Sequence, residues 1–87
     1  MTTRFRTLLE EYIKEEFGEV EASRVINSIK PTSKLIDDLG FDSLDLWLFN
    51  SKLETIYPLE NLNLLEYQIV KVKTLDEICQ ICEYKTN

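Results

Sequence analysis

Apolar residues recur at helical spacing along most of the chain. Phe5, Leu8, Leu9, Tyr12 and Ile13 follow the i, i+3, i+4, i+7, i+8 pattern of one face, which predicts an amphipathic helix over residues 4–17. Thr3 is placed to cap its start and Gly18 its end. Ala22, Val25, Ile26 and Ile29 repeat the pattern over 19–29, and Glu19 and Glu21 occupy the first turn, where the helix dipole favours carboxylates. Pro31 closes this segment because it disfavours helical geometry at Lys30. Residues 31–42 read as a loop broken by Pro31-Thr32-Ser33 and Gly40, with Leu35, Ile36 and Leu39 able to tuck one turn against the core. A third helix is predicted from Asp42-Ser43 to near Tyr57-Pro58, with Asp42 as its N-cap and Asp45 as the acidic partner of a capping box. Residues 61–68 read as a short helix. Ile69-Val70-Lys71-Val72-Lys73 alternates like a strand, but no second strand exists to pair with it, so it reads as a helix end plus connector. Thr74-Leu75-Asp76-Glu77 is a capping box that opens a final helix carrying Leu75, Ile78, Cys79 and Cys82 on one stripe. The pattern predicts an all-α fold: a small four-helix bundle with an extra helix or turn over 19–29. Its core is expected to include Leu8, Tyr12, Ile26, Phe49, Leu53 and Ile78.

The third helix carries apolar residues on two sides. Leu46, Phe49, Leu53, Ile56 and Tyr57 share the face expected to meet the core. Leu44 and Leu48 point the opposite way, with Ser51 between them and Trp47 on the flank. A solvated helix normally fills that outer face with charge, so an apolar one suggests a contact surface. The alternative is a central helix buried all round.

Composition narrows the chemistry. With 87 residues the chain is long enough for one domain spanning 1–87 and too short for two cores. Ten Lys and Arg against 16 Asp and Glu give a net charge of −6. That balance argues against nucleic acid and suits a basic surface on a protein partner. The absence of histidine rules out Ser-His-Asp and Cys-His nucleophiles, a histidine base and mixed Cys/His metal sites. No stretch approaches 18 apolar residues, so no membrane span is expected. The charged opening of the chain is unlike a secretory signal, and a cytoplasmic location is expected. Cys79 and Cys82 form a Cys-x-x-Cys spacing, but inside a predicted helix and without further ligands they read as two small buried hydrophobes rather than a redox pair or zinc site. Glu10-Glu11 and Glu15-Glu16 read as a solvated helix face. No carboxylate pair is placed for acid–base work and no Gly-rich phosphate loop is present, so no enzyme is expected.

Ser43 stands at the start of the third helix. It reads either as a simple capping serine or as a phosphate attachment point, since unpaired backbone N–H groups and the positive dipole end both favour an anion there. Without a histidine or other base nearby in sequence it is a poor self-activating nucleophile, and it better suits modification by another enzyme.

The run Leu35-Ile36-Asp37-Asp38-Leu39-Gly40-Phe41-Asp42-Ser43-Leu44-Asp45 resembles the phosphopantetheine attachment site of the acyl carrier protein family. In that family an Asp-Ser-Leu triplet follows an Asp-Leu-Gly turn and opens the second principal helix. The resemblance extends to Leu53-Glu54 and to Thr74-Leu75-Asp76-Glu77-Ile78, so it covers about residues 31 to 84. It implies a 4'-phosphopantetheine arm on Ser43, transferred from coenzyme A by a phosphopantetheinyl transferase. Asp42 and Leu44 would flank the arm. A monomeric, non-catalytic carrier would then hold acyl groups as thioesters and present them to acyl-loading and acyl-using enzymes of fatty-acid or polyketide-like biosynthesis. Leu44, Asp45, Trp47, Leu48, Ser51 and Glu54 would form the partner surface. An aminoacyl or peptidyl carrier, or a helical interaction module in which Ser43 is only a cap, are the alternatives. Leu46, Trp47, Leu48 and Phe49 fill the middle of the helix where the family usually carries acidic residues, and Lys52 interrupts those that remain. The segments 19–29 and 58–73 also depart from the family pattern. These differences point to a specialised pathway and to docking through apolar contact.

Overall fold

A computed structural model describes residues 1–57 and 67–85. These residues form five helices: α1 (Thr3–Phe17), α2 (Glu19–Ser28), α3 (Ser43–Leu53), α4 (Tyr67–Val72) and α5 (Leu75–Lys85). Among the described residues the one β-type pairing is an isolated bridge between Lys34 and Thr74. The all-α expectation therefore stands, and the 19–29 segment is a full helix rather than a turn.

Local chemistry sets most helix starts. The cap of α1 is Thr2, whose hydroxyl accepts from the Phe5 amide, and not the expected Thr3, which is already helical. Gly18 separates α1 from α2 with φ 81° and ψ 161°, a conformation essentially restricted to glycine. The loop over 31–42 is tied to the start of α5: the Leu75 amide donates to the Ser33 carbonyl at 2.7 Å and the Asp76 amide to the Pro31 carbonyl at 3.0 Å. Two otherwise orphaned donors of α5 are satisfied in this way. The expected capping box completes that start, with the Thr74 amide donating to Glu77 at 3.0 Å and the Glu77 amide to the Thr74 hydroxyl at 3.2 Å.

One continuous apolar cluster joins all five helices and the loop. At its centre Phe49 of α3 meets Phe5, Tyr12 and Phe41, with ring centroids 6.1, 5.7 and 5.9 Å away. Leu35, Leu39 and Phe41 bury the loop against this cluster, and Cys79 and Cys82 line it from α5 as free, buried thiols. Of the expected core residues, Leu8, Tyr12, Phe49, Leu53 and Ile78 are buried, whereas Ile26 is only partly so.

One expected element differs. The third helix ends at Leu53 rather than near Tyr57, because the Thr55 and Ile56 amides bond three residues back, to Lys52 and Leu53, both at 3.1 Å. This tighter winding turns Ile56 outward from its expected core position, while Tyr57 stays buried. The stretch 69–73 is the expected helix end plus connector: residues 69–72 close α4, with Val70 buried, and Lys73 leads on to α5. Of the short helix expected over 61–68, residues 61–66 lie outside the described residues.

A polar cluster joins segments far apart in sequence. The Arg4 guanidinium donates to both carboxylate oxygens of Glu83 at 2.9 Å, the Thr2 hydroxyl donates to Glu83 at 3.2 Å, and the buried Tyr57 hydroxyl donates to it as well. Arg4 also lies 4.5 Å from the Tyr57 ring centre. These donors, Arg4 first, hold the Glu83 carboxyl down at about 2.

Candidate functional site

Asp42 adopts extended backbone geometry and caps α3, its carboxylate accepting from the Asp45 amide at 2.9 Å. Asp45 returns the bond, accepting from the Asp42 amide at 3.0 Å. The capping box leaves Ser43 as the first helical residue, exposed and with no part in the cap. This separates two roles that the sequence left joined: Asp42 terminates the helix and the Ser43 hydroxyl is not needed for it. Gly40, with φ 77°, supplies the left-handed turn that brings the loop to this point.

The electrostatics of the site differ from the expectation of an open anion-binding helix end. The Asp45 amide already serves the Asp42 carboxylate, and this bond above all holds its pKa below the ordinary value. The donors that would cradle a phosphate are thus partly occupied. The Ser43 residue itself is exposed.

Asp45 is tethered from a second side. The Tyr12 hydroxyl of α1 donates to its other oxygen at 2.6 Å. Burial, then this carboxylate, pushes the Tyr12 pKa up. Expected to join the partner surface, Asp45 has both oxygens engaged within the chain. Periodicity placed Tyr12 in the core but not its hydroxyl at Asp45; the available signal was a tyrosine where a phenylalanine would fill the same space.

The remaining expected site residues separate into outward and inward groups. Leu44 and Trp47 are 63 % and 53 % exposed. Leu48 is half-buried against the core cluster and so does not share the open outer face. The Ser51 hydroxyl is exposed and donates to the Trp47 carbonyl at 3.1 Å. Glu54 is exposed and accepts from the side-chain amide of Asn50 at 3.0 Å. Buried Asn50 keeps an unpartnered carbonyl oxygen among the described residues, a feature absent from the sequence reading. Lys52 turns away from the outer face to Glu15 and Glu11 of α1, at 3.1 and 3.9 Å. The outer face of α3 is therefore a small apolar patch, Leu44 and Trp47, beside Ser43.

Nothing else described gathers comparable features. Among the described residues no group of three or more His, Cys, Asp or Glu side chains could hold a metal ion, and no helix is long and apolar enough to cross a membrane. Burial pushes the Cys82 thiol up to about 12, far from a reactive thiolate. One surface groove runs along α5 past Lys73, Glu77 and Tyr84, and another lies between α1 and α2 beside Lys14 and Glu19; Ser43 lines neither. The chain matches no family model, no curated protein and no solved structure.

Proposed function

We propose that this chain is a carrier protein that bears a phosphopantetheine arm on Ser43 and presents acyl thioesters to partner enzymes. The observation that carries the reading is the division of labour at the start of α3: Asp42 closes the helix, and Ser43 projects an exposed hydroxyl that the cap does not use. The sequence around it, from Leu35 to Asp45, resembles the acyl carrier attachment site.

The chain supplies the hydroxyl and a fixed helix start, and a separate transferase supplies the base. The Ser43 oxygen forms a bond to the pantetheine-bearing phosphorus of coenzyme A. The pyrophosphate bond breaks, adenosine bisphosphate departs, and the hydroxyl proton passes to the transferase. Once attached, the arm's terminal thiol holds the acyl group as a thioester. The carrier itself performs no catalysis. Leu44 and Trp47 beside Ser43 offer partners an apolar contact, while Asp42 contributes charge that guides approach. With Lys52 held by α1 and Asp45 engaged internally, apolar contact dominates recognition, and moderate salt leaves the complex largely intact.

Incubation with coenzyme A and a broad-range phosphopantetheinyl transferase, followed by intact mass measurement, tests the reading. The expected result is a mass gain of one phosphopantetheine that disappears in Ser43→Ala. No gain, or a gain that persists in Ser43→Ala, overturns it and leaves a helical interaction module whose contact is Leu44 and Trp47.

A further inference from the structure

We infer that Tyr12 is a positioning residue for the modification of Ser43, acting from α1 through Asp45; the inference rests on the carrier reading. One hydrogen bond joins α1 to the first turn of α3, and two more carry it on through the capping box. The Tyr12 hydroxyl donates to one oxygen of Asp45, the Asp42 amide donates to the other, and the Asp45 amide donates back to Asp42. Ser43 lies in sequence between the two aspartates that this chain of bonds fixes.

The anchor is rigid. Tyr12 is only 2 % exposed, and its ring lies 5.3 Å from Phe41 and 5.7 Å from Phe49. These two rings precede and follow the α3 start, so Tyr12 is clamped by the same segments that flank Ser43. The start of α5 is tethered differently, through its backbone: the Leu75 and Asp76 amides donate to the Ser33 and Pro31 carbonyls, while among the described residues the Glu77 carboxylate bonds only Thr74. The Tyr12 bond is therefore additional to capping. It fixes the direction in which α3 leaves the loop and keeps the Asp45 carboxylate from turning outward.

Removing the tether has a defined expectation. In Tyr12→Phe the ring packing remains and the bond to Asp45 is lost. The first turn of α3 then samples open arrangements, and a transferase has to select the ordered one, which weakens apparent binding by the fraction ordered. Amide exchange at Asp42 and Asp45 should quicken by about tenfold, the scale of one hydrogen bond to a charged group. Modification of Ser43 should slow through a raised KM with kcat little changed. A purely structural role of Tyr12 would change global unfolding without this split.

The experiment compares the wild type, Tyr12→Phe, Asp45→Ala and the double variant by site-resolved hydrogen exchange and by transferase kinetics. Because Tyr12 acts through Asp45, the double variant should be no worse than Asp45→Ala alone. Unchanged exchange at the α3 start in Tyr12→Phe, or effects that multiply in the double variant, overturns the inference. Should Tyr12→Phe lose its fold, Asp45→Ala carries the exchange test alone, and normal exchange at Asp42 overturns the inference. A wild-type protein that takes no arm overturns the carrier reading instead, while the exchange data still decide whether the tether orders this turn.

Discussion

Phe49 and Trp47 are large aromatics two positions apart on α3, and replacing each with alanine asks the same helix the same question. Phe49 is fully buried and meets three other rings. A buried aromatic removes about 200 Å² from water, or about 5 kcal/mol at 25 cal/mol/Å². The compact unfolded chain already buries part of that area, which lowers the figure by roughly a quarter. The expected loss for Phe49→Ala is therefore about 4 kcal/mol, within the range for emptied aromatic sites. Trp47 is 53 % exposed, so about half of its surface never left water. Trp47→Ala should cost less than half as much, under about 2 kcal/mol. Helix propensity contributes little to the difference, since Phe and Trp rank together against Ala. Urea unfolding followed by far-ultraviolet circular dichroism gives both numbers, provided the slopes with urea agree. Equal losses, or a larger loss for Trp47→Ala, would mean that α3 is rotated so that Trp47 fills the core. The apolar docking face would then disappear with it.

Two further expectations concern titration and thiol chemistry. Glu83 has its pKa lowered from 4.5 to about 2 by Arg4 and Tyr57, so its contribution to stability is present above the unfolded value and is lost as pH falls from 4.5 toward 2. Stability of the wild type should fall more steeply than that of Glu83→Gln across that window, the two converging at its acid end, and parallel curves would refute the assignment. Cys79 and Cys82 are buried, and Cys82 is pushed up to about 12, so neither should react with a thiol reagent at pH 8 until the protein opens; prompt native-state labelling of both would contradict the packing of α5.

Features set by a few neighbouring residues were legible in the sequence. The Asp42–Asp45 and Thr74–Glu77 boxes each need only four consecutive residues, and both form. The core stripe of α1 and the burial of both cysteines follow from periodicity alone. Features decided between distant segments were not. Two threonines compete to cap α1, and Thr2, which also reaches Glu83, is the one that does so. Ile56 continues the apolar period of α3, but the chain tightens before it, and Ile56 turns outward. At the site, periodicity drew Leu48 as outward, whereas it packs against the core. Charge was the least legible: Lys52 and Asp45 lie on a helix proposed to face partners, yet both spend their charge on α1.

The Glu83 cluster also bears on how the chain reaches this arrangement. Its members come from residues 2, 4, 57 and 83, and the Arg4–Glu83 pair spans 79 positions. Closing so long a loop costs entropy that local contacts do not return, so this junction belongs among the last to form in folding. Until Glu83 arrives, the Tyr57 hydroxyl has lost water without gaining its carboxylate partner, and a half-assembled intermediate is penalised. The junction thereby couples α1, the turn that follows α3, and α5 into a single unfolding event. Substitutions at Arg4 or Glu83 should accelerate unfolding while leaving the folding rate nearly unchanged.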